Sequence, residues 1–111
     1  MKLAIVGSRN LIINNIDEYL PDGITEIVSG GAKGIDSIAA EYAKRNNIPL
    51  VEFRPEYKKY RRAAPLKRNE LIAEYADEVL AFWDGSSKGT IYTVQLFEKL
   101  GKKVTLKTIQ K

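Results

Sequence analysis

Two apolar runs place the strongest constraint on the fold of this chain. LAIV at residues 3–6 and VLAFW at residues 79–83 contain no charged side chain. A strand with one face in water alternates apolar and polar residues, whereas a continuous apolar run is expected where both faces are covered. Both runs therefore predict inner strands of a sheet that is packed between two layers of helices.

Strand and helix patterns alternate along all 111 residues. The predicted strands lie at 2–6, 25–29, 49–53, 78–83 and 103–107. Between them, apolar residues recur at helical spacing in four stripes, which run from Ile12 to Leu20, Ile35 to Ala43, Leu66 to Ala76 and Ile91 to Leu100. With right-handed crossovers, this alternation predicts an α/β fold, a single Rossmann-like domain over residues 1–111. Its five-stranded parallel sheet has the order 3-2-1-4-5 and carries helices on both faces.

The composition excludes several kinds of chemistry. The chain has neither cysteine nor histidine, so disulfides, thiolate nucleophiles, Ser-His-Asp triads and the common zinc sites are ruled out. We predict no metal site made by the protein alone, although Mg²⁺ could accompany a phosphorylated ligand. No apolar run approaches the ~20 residues of a membrane span, and no signal-peptide pattern is present. The expected location is therefore the cytoplasm, without a membrane partner.

Positive charge is concentrated in one segment. Residues 54–68, RPEYKKYRRAAPLKR, hold seven basic residues and one acidic residue. The segment therefore carries +6, and the rest of the chain carries −2 of the formal total of +4. Such a segment fits an anionic partner, and a solvated basic loop explains it as well. Tyr57 and Tyr60 lie among the lysines and could stack on a base or pack on the protein.

Three glycine-containing loops are predicted to meet at one edge of the sheet. GSR (7–9), SGGAKG (29–34) and DGSSKGT (84–90) each follow a predicted strand, and together they hold six of the eight glycines. In doubly wound sheets, ligands bind beyond the carboxyl ends of the strands, where the strand order reverses. Glycine lets backbone N–H groups approach a ligand, and a helix start leaves about four of them unpaired. The loops therefore predict a site for a phosphate or a sugar-phosphate.

The candidate ligand-binding residues supply glycine backbone, hydroxyl groups and charge at this edge. They are Gly7, Ser8, Arg9, Ser29, Gly30, Gly31, Lys33, Gly34, Asp36, Arg68, Asp84, Gly85, Ser86, Ser87, Lys88, Gly89 and Thr90. Asp36 and Asp84 are also the candidate catalytic carboxylates, and Asp36 could instead hold ribose hydroxyls. A structural role is the alternative for each, because acids are common in a first helical turn and ahead of a glycine turn.

The motifs taken singly are weak. GGAKG also occurs in ordinary turns, GSSKGT lacks the spacing of a P-loop, and VGSRN lacks the dinucleotide fingerprint. A purely structural role, in which the glycines only turn the chain, therefore stays open. The convergence of three such loops is what favours a binding site.

Taken together, the motifs resemble a known superfamily. MKLAIVGSR, IVSGGAKGID, the stretch from RPEYKKYRR to FWDGSSKGT, and GKKV resemble the SLOG superfamily, which joins the Smf/DprA DNA-processing proteins to the LOG nucleotide hydrolases. The chain is most similar to its short stand-alone YspA/YpsA-related members from bacteria and phages. The resemblance implies a Rossmann-like fold and a pocket for a nucleotide or nucleotide-derived ligand. Its binding positions fall on Gly7, Ser8, Arg9, Gly30, Gly31, Gly34, Asp36, Arg68, Asn69, Asp84, Gly85, Ser87, Gly89 and Thr90.

One departure from the family pattern orders the functional hypotheses. LOG-type enzymes carry a catalytic glutamate where GSSKGTIYT places Thr93. The first hypothesis is therefore a nucleotide-binding sensor or accessory module. The alternative is a LOG-type nucleoside 5′-monophosphate phosphoribohydrolase that would use Asp36 or Asp84. A second alternative is DprA-like binding of single-stranded nucleic acid through residues 54–68. The family also allows a homodimer.

Overall fold

The computed structural model describes residues 1–109 and contains one five-stranded sheet. Its order is β3-β2-β1-β4-β5, and all four strand pairs are parallel. The strands are β1 (Lys2–Gly7), β2 (Glu26–Ser29), β3 (Leu50–Glu52), β4 (Glu78–Trp83) and β5 (Lys103–Thr108). The predicted fold class and strand order are confirmed.

Helices cover both faces of the sheet. They are α1 (Ile35–Arg45), α2 (Tyr57–Tyr60), α3 (Ala64–Tyr75) and α4 (Lys88–Lys99), with short 3₁₀ helices at Ile16–Tyr19 and Arg61–Ala63. The apolar side of α1 packs on one face, and those of α3 and α4 pack on the other. Because every connection is a parallel crossover, the long helices begin at the carboxyl edge of the sheet, where the strands end.

Two separate cores explain the continuous apolar runs. Leu3 and Ile5 face α1, whereas Ala4 and Val6 face α3 and α4. Successive side chains of a strand point to opposite faces, so each residue of LAIV enters one core or the other. β4 divides its side chains in the same way, which confirms that the two runs form inner strands.

The predicted helix from Ile12 to Leu20 is wrong. The chain turns directly after β1, where the amide of Leu11 donates to the carbonyl of Ser8 at 3.2 Å, and only the 3₁₀ turn at Ile16–Tyr19 is helical. Leu11, Ile13 and Ile16 are buried, whereas Ile12 is 78% exposed. An irregular stretch buries Leu11 and Ile13, and the 3₁₀ turn buries Ile16, so the predicted helical period placed Ile12 in the core wrongly.

Two further residues of the predicted stripes, besides Ile12, do not enter the core. Leu66 is 45% exposed and Leu100 is 50% exposed. The buried side of α3 near its start carries Arg68 and Asn69 instead of Leu66, so a polar pair occupies the place that the apolar stripe predicted. Leu100 lies past the last turn of α4, where its amide closes the helix on the carbonyl of Leu96.

The backbone of Arg61 has a strained conformation whose energetic cost can be measured. It lies at the end of α2 with φ +52° and ψ −122°, a region that glycine enters freely and that costs other residues about 1–3 kcal/mol. Arg61→Gly is expected to raise the free energy of unfolding by roughly 1 kcal/mol, because the relieved strain exceeds glycine's entropic cost of about 0.5–1 kcal/mol. Urea denaturation measures the change.

The neighbouring Arg62 is the matched control, because it lies in the 3₁₀ helix and is not among the described residues with positive φ. Arg62→Gly should lower the free energy of unfolding by about 0.5–1 kcal/mol. Equal losses in the two variants would show that Arg61 is not strained.

Candidate functional site

A cavity of about 290 Å³ opens at the carboxyl edge of the sheet. It lies where the order of the strands in the sheet reverses, between the end of β1 and the starts of α1, α3 and α4. We call it the edge cavity, and its walls are formed by Val6, Gly7, Arg9, Gly30, Ala32, Asp36, Pro65, Leu66, Arg68, Asn69, Ile72, Ser87, Gly89, Thr90 and Thr93.

A larger hollow of about 710 Å³ lies elsewhere, between residues 12–17 and the second half of α1. We call it the α1 groove. It borders the C-terminal end of α1, where the helix dipole is negative, and acidic Asp17 and Glu41 face it beside Lys44 and Arg45. For an anionic ligand the edge cavity is the better candidate, because helix N-termini and two arginines meet there.

Arg68 is the central side chain of the edge cavity. It is only 9% exposed. Its Nη1 donates to the Gly30 carbonyl at 2.7 Å, and its Nε donates to Asn69 Oδ1 at 2.8 Å. Burial lowers the pKa of the guanidinium, and the nearby Asp36 carboxylate acts against that shift. An arginine stays charged at any physiological pH, so the cavity wall contains a fixed positive charge.

One terminal nitrogen of Arg68 is left for a ligand. Nη2 makes no hydrogen bond to any described residue. Yet no fully buried side-chain nitrogen or oxygen among residues 1–109 lacks a partner. Nη2 is therefore accessible, and since Arg68 lines the edge cavity, we place this donor on the cavity side.

Gly30 makes the position of Arg68 possible. A Cβ built on Gly30 would lie 2.6 Å from Arg68 Nη1 and 3.0 Å from Asp36 Oδ2. The next residue is held in the same way, because Arg54 Nη1 donates to the Gly31 carbonyl at 3.3 Å. Two arginines fourteen residues apart thus hold two consecutive carbonyls of one turn.

Gly34, at the start of α1, is also required by packing within the protein. Its φ is +71°, and an added Cβ would collide with the backbone carbonyl of Arg9. The GSR loop therefore lies directly against the SGGAKG loop. The glycines of SGGAKG are required largely by contacts within the protein, in addition to any contact with a ligand.

Asp36 contributes a buried carboxylate to the edge cavity. It is 8% exposed, and its Oδ2 accepts the Ala32 amide at 3.0 Å. Burial raises its pKa above the ordinary value, while the Ala32 hydrogen bond and the charges of Arg68 and Arg9 lower it in part. Among the residues that line the cavity, it is the one carboxylate.

Asp84 has a different position. Its Oδ1 accepts the amides of Ser86 at 2.9 Å and Ser87 at 2.8 Å, and these hydrogen bonds, first that of Ser86, lower its pKa. Trp83 Nε1 donates to the Ser87 carbonyl at 3.0 Å. Asp84 therefore closes the turn that leads into α4, and it does not line the edge cavity.

The structure brings together half of the predicted site residues. Those that line the edge cavity are Gly7, Arg9, Gly30, Asp36, Arg68, Asn69, Ser87, Gly89 and Thr90. The other nine do not line it, and they are Ser8, Ser29, Gly31, Lys33, Gly34, Asp84, Gly85, Ser86 and Lys88. Several of the latter hold the loops in place, as when Ser8 Oγ accepts the Asp84 amide at 3.2 Å. Their roles toward a ligand stay predictions.

The apolar wall of the edge cavity was not predicted from the sequence. Val6, Pro65, Leu66 and Ile72 line it, and their sequence signal was that of core or helix residues. Only their position, at strand and helix ends on the carboxyl edge, could have indicated the wall. Thr93 also lines the cavity, and its hydroxyl donates to the Gly89 carbonyl at 3.0 Å.

Two further observations concern the described residues as a whole. Within residues 1–109, no group of three or more acidic side chains could bind a metal ion. In the same part of the chain, no helix combines the length and the apolar composition needed to cross a membrane.

Comparison with known proteins gives one match. The family model of the YspA, cpYpsA-related SLOG family matches residues 3–60, just over half of the chain. The match includes the GSR and SGGAKG loops and α1, and it ends before α3. No curated protein and no solved structure matches the chain.

The contact between Gly30 and Arg68 predicts a stability difference. Gly30→Ala must displace a buried guanidinium and is expected to lower the free energy of unfolding by roughly 1–3 kcal/mol. Gly89→Ala is the control, because an added Cβ at Gly89 meets no atom within 4 Å; it should be neutral or stabilise α4 by up to ~1 kcal/mol. Urea denaturation of both variants tests this. Wild-type stability in Gly30→Ala would contradict the placement of Arg68.

Asp36 predicts a pH dependence of stability. Because its pKa is raised in the folded protein, the folded state holds this proton more tightly than the unfolded chain. Its contribution is fully present below the ordinary value of 3.8 and is lost as the pH rises through the folded-state pKa. Asp36→Asn keeps an acceptor for the Ala32 amide, so its stability relative to wild type should increase between about pH 4 and pH 7.

Denaturation curves of wild type and Asp36→Asn at several pH values measure this difference. Asp22→Asn, on an exposed turn away from the cavity, is the control for the loss of one acidic side chain from the protein. A difference between wild type and Asp36→Asn that does not change with pH would contradict a buried carboxyl whose pKa is raised in the folded protein.

Proposed function

Because this chain belongs to the YspA, cpYpsA-related SLOG family, we propose that it binds a nucleotide or nucleotide-derived ligand in the edge cavity. It would act as a sensor or accessory module. One observation carries the proposal: a buried, charged Arg68 faces a cavity that the starts of α1, α3 and α4 surround. Family membership suggests a nucleotide-related role, and the chemistry of the cavity fits one.

We assign the ligand's phosphate to the first turn of α4. Asp84 takes the amides of Ser86 and Ser87, which precede the helix, so the amides of the first turn itself remain for a ligand. Gly89 leaves open space there, because an added Cβ would meet no atom within 4 Å. The helix dipole and the charges of Arg9 and Arg68 favour an anion at this place.

The size and walls of the edge cavity indicate a mononucleotide. Its volume of about 290 Å³ is at the small end of the roughly 300–1,000 Å³ of ligand pockets, which is too small to enclose a dinucleotide. Leu66 and Ile72 offer an apolar wall to a base, and Asp36 is an acceptor for ribose hydroxyls. Phosphate, sugar and base thus each have a suitable partner.

A phosphoribohydrolase is the second candidate, favoured by one observation. Asp36 is buried at the cavity, and burial raises its pKa, a combination found in catalytic acids. Thr93, whose hydroxyl is engaged by the Gly89 carbonyl, stands where the related hydrolases carry a glutamate. Binding is therefore the better-supported function. Release of free base from a nucleoside monophosphate, lost in Asp36→Asn while binding persists, would establish the enzyme instead.

A charge placed at Gly89 tests the binding proposal. Gly89→Asp and Gly89→Asn have nearly the same shape, and neither meets a steric obstacle. An acid in the first turn also agrees with the helix dipole, so both variants should fold. Gly89→Asp should bind a nucleoside monophosphate at least about tenfold more weakly than Gly89→Asn, because like charges a few ångströms apart repel.

A thermal-shift screen with nucleoside mono- and diphosphates and ADP-ribose provides the measurement. At about 100 times its Kd a ligand adds roughly 2.7 kcal/mol, which raises the Tm of a domain this size on the order of 10 °C. Absence of any shift in the wild type, or equal shifts in the Asp and Asn variants, would overturn the proposed phosphate site.

A further inference from the structure

The basic segment, residues 54–68, begins and ends against the SGGAKG loop, of which Gly30 and Ala32 line the edge cavity. Arg54, before the segment's helices, donates to the Gly31 carbonyl at 3.3 Å, and Arg68, at its end, donates to the Gly30 carbonyl at 2.7 Å. Residues 55–67 therefore leave from this loop and return to it. Pro65 and Leu66, within this excursion, line the cavity. The excursion forms part of the cavity's border.

Five exposed cations lie on this excursion: Lys58, Lys59, Arg61, Arg62 and Lys67. We call them the basic rim. Lys67 lies 3.7 Å from Glu70, and Lys59 lies over the ring of Tyr60. Neither ion pair of the described residues involves Lys58, Arg61 or Arg62. Three cations without an ion pair therefore lie on a segment whose Pro65 and Leu66 line the cavity that the proposed mononucleotide would already fill.

The rim is carried on short helical elements. Helix α2, the 3₁₀ turn and the start of α3 pack against one another. Arg61 takes a backbone conformation that favours glycine, so its side chain is presented at a conformational cost. A merely solvated loop would need neither feature.

Resting on the proposed function, we propose that the ligand carries a chain of phosphates that leaves the edge cavity and lies on the basic rim. The first phosphate lies at α4, and the following ones meet Lys58, Arg61 and Arg62. Guanidinium groups suit this role, because they donate two parallel hydrogen bonds to a phosphate. The shared chemistry is a row of negatively charged phosphates, linked directly to one another in a nucleoside polyphosphate and through sugars at the phosphorylated end of an oligonucleotide.

The experiment compares three ligands of the same base by calorimetric titration: the nucleoside monophosphate, the triphosphate and a 5′-phosphorylated tetranucleotide. We expect at least one phosphate chain to bind about tenfold more tightly than the monophosphate, which corresponds to a few surface charge contacts. A gain for the triphosphate alone identifies a polyphosphate. A gain for the tetranucleotide alone, with an affinity that falls with salt at a log–log slope of about −0.7 per phosphate contact, identifies a nucleic-acid end.

Removing charges from the basic rim tests whether the gain in affinity comes from these residues. In Lys58→Gln/Arg61→Gln/Arg62→Gln, the affinity ratio of chain to monophosphate should fall to about one. Lys44→Gln/Lys99→Gln/Lys103→Gln removes the same charge from exposed residues at the opposite edge of the sheet and should keep the wild-type ratio. This control separates local contacts from net charge.

Two outcomes overturn the inference while the proposed function stands: equal affinity for all three ligands, or a gain that the rim variant retains. Binding of the tetranucleotide without binding of the monophosphate would overturn both, because the cavity would then have no role. The same holds if no ligand binds.

Discussion

The hydrogen bond from Arg68 to the Gly30 carbonyl is the contact on which the carboxyl edge depends. A buried guanidinium is costly unless its donors are satisfied, and here Gly30 and Asn69 satisfy two of its nitrogens while Asp36 balances its charge. The bond joins α3 to the loop before α1, across 38 positions of the chain. Because α3 is held in this way, its first turn becomes a wall of the edge cavity.

The glycines divide into two kinds as a consequence. At Gly30 and Gly34, the space that a side chain would need is already occupied by other residues, and a larger residue would displace them. Gly89 faces open space, although it also lines the cavity. At the carboxyl edge of the sheet, the backbone with room for a ligand is therefore that at the start of α4. For this reason we assign the phosphate of the proposed ligand to α4 and not to the loop before α1. Asp84 supports this arrangement by closing the turn ahead of the helix.

Sequence patterns predicted the sheet and the edge at which a site would form, because continuous apolar runs and post-strand loops follow directly from a doubly wound topology. They did not predict that Arg68 and Asn69 are buried where α3 was expected to present Leu66. A polar pair in a core position depends on a partner far along the chain, and helical periodicity does not record it. The prediction of a helix after β1 failed for a different reason: Leu11 and Ile13 are buried by an irregular backbone, and only the 3₁₀ turn that buries Ile16 is helical.

The central claim is that the edge cavity, and not the larger α1 groove, receives a nucleotide. The most direct measurement is a titration of the ¹⁵N-labelled protein with a nucleoside monophosphate, followed by amide NMR. The account predicts saturable shifts at Gly30, Gly89 and Thr90, with the amides of Ile13 and Asn46 in the α1 groove unmoved. Shifts confined to the α1 groove, or no saturable shift at the first turn of α4, would contradict it.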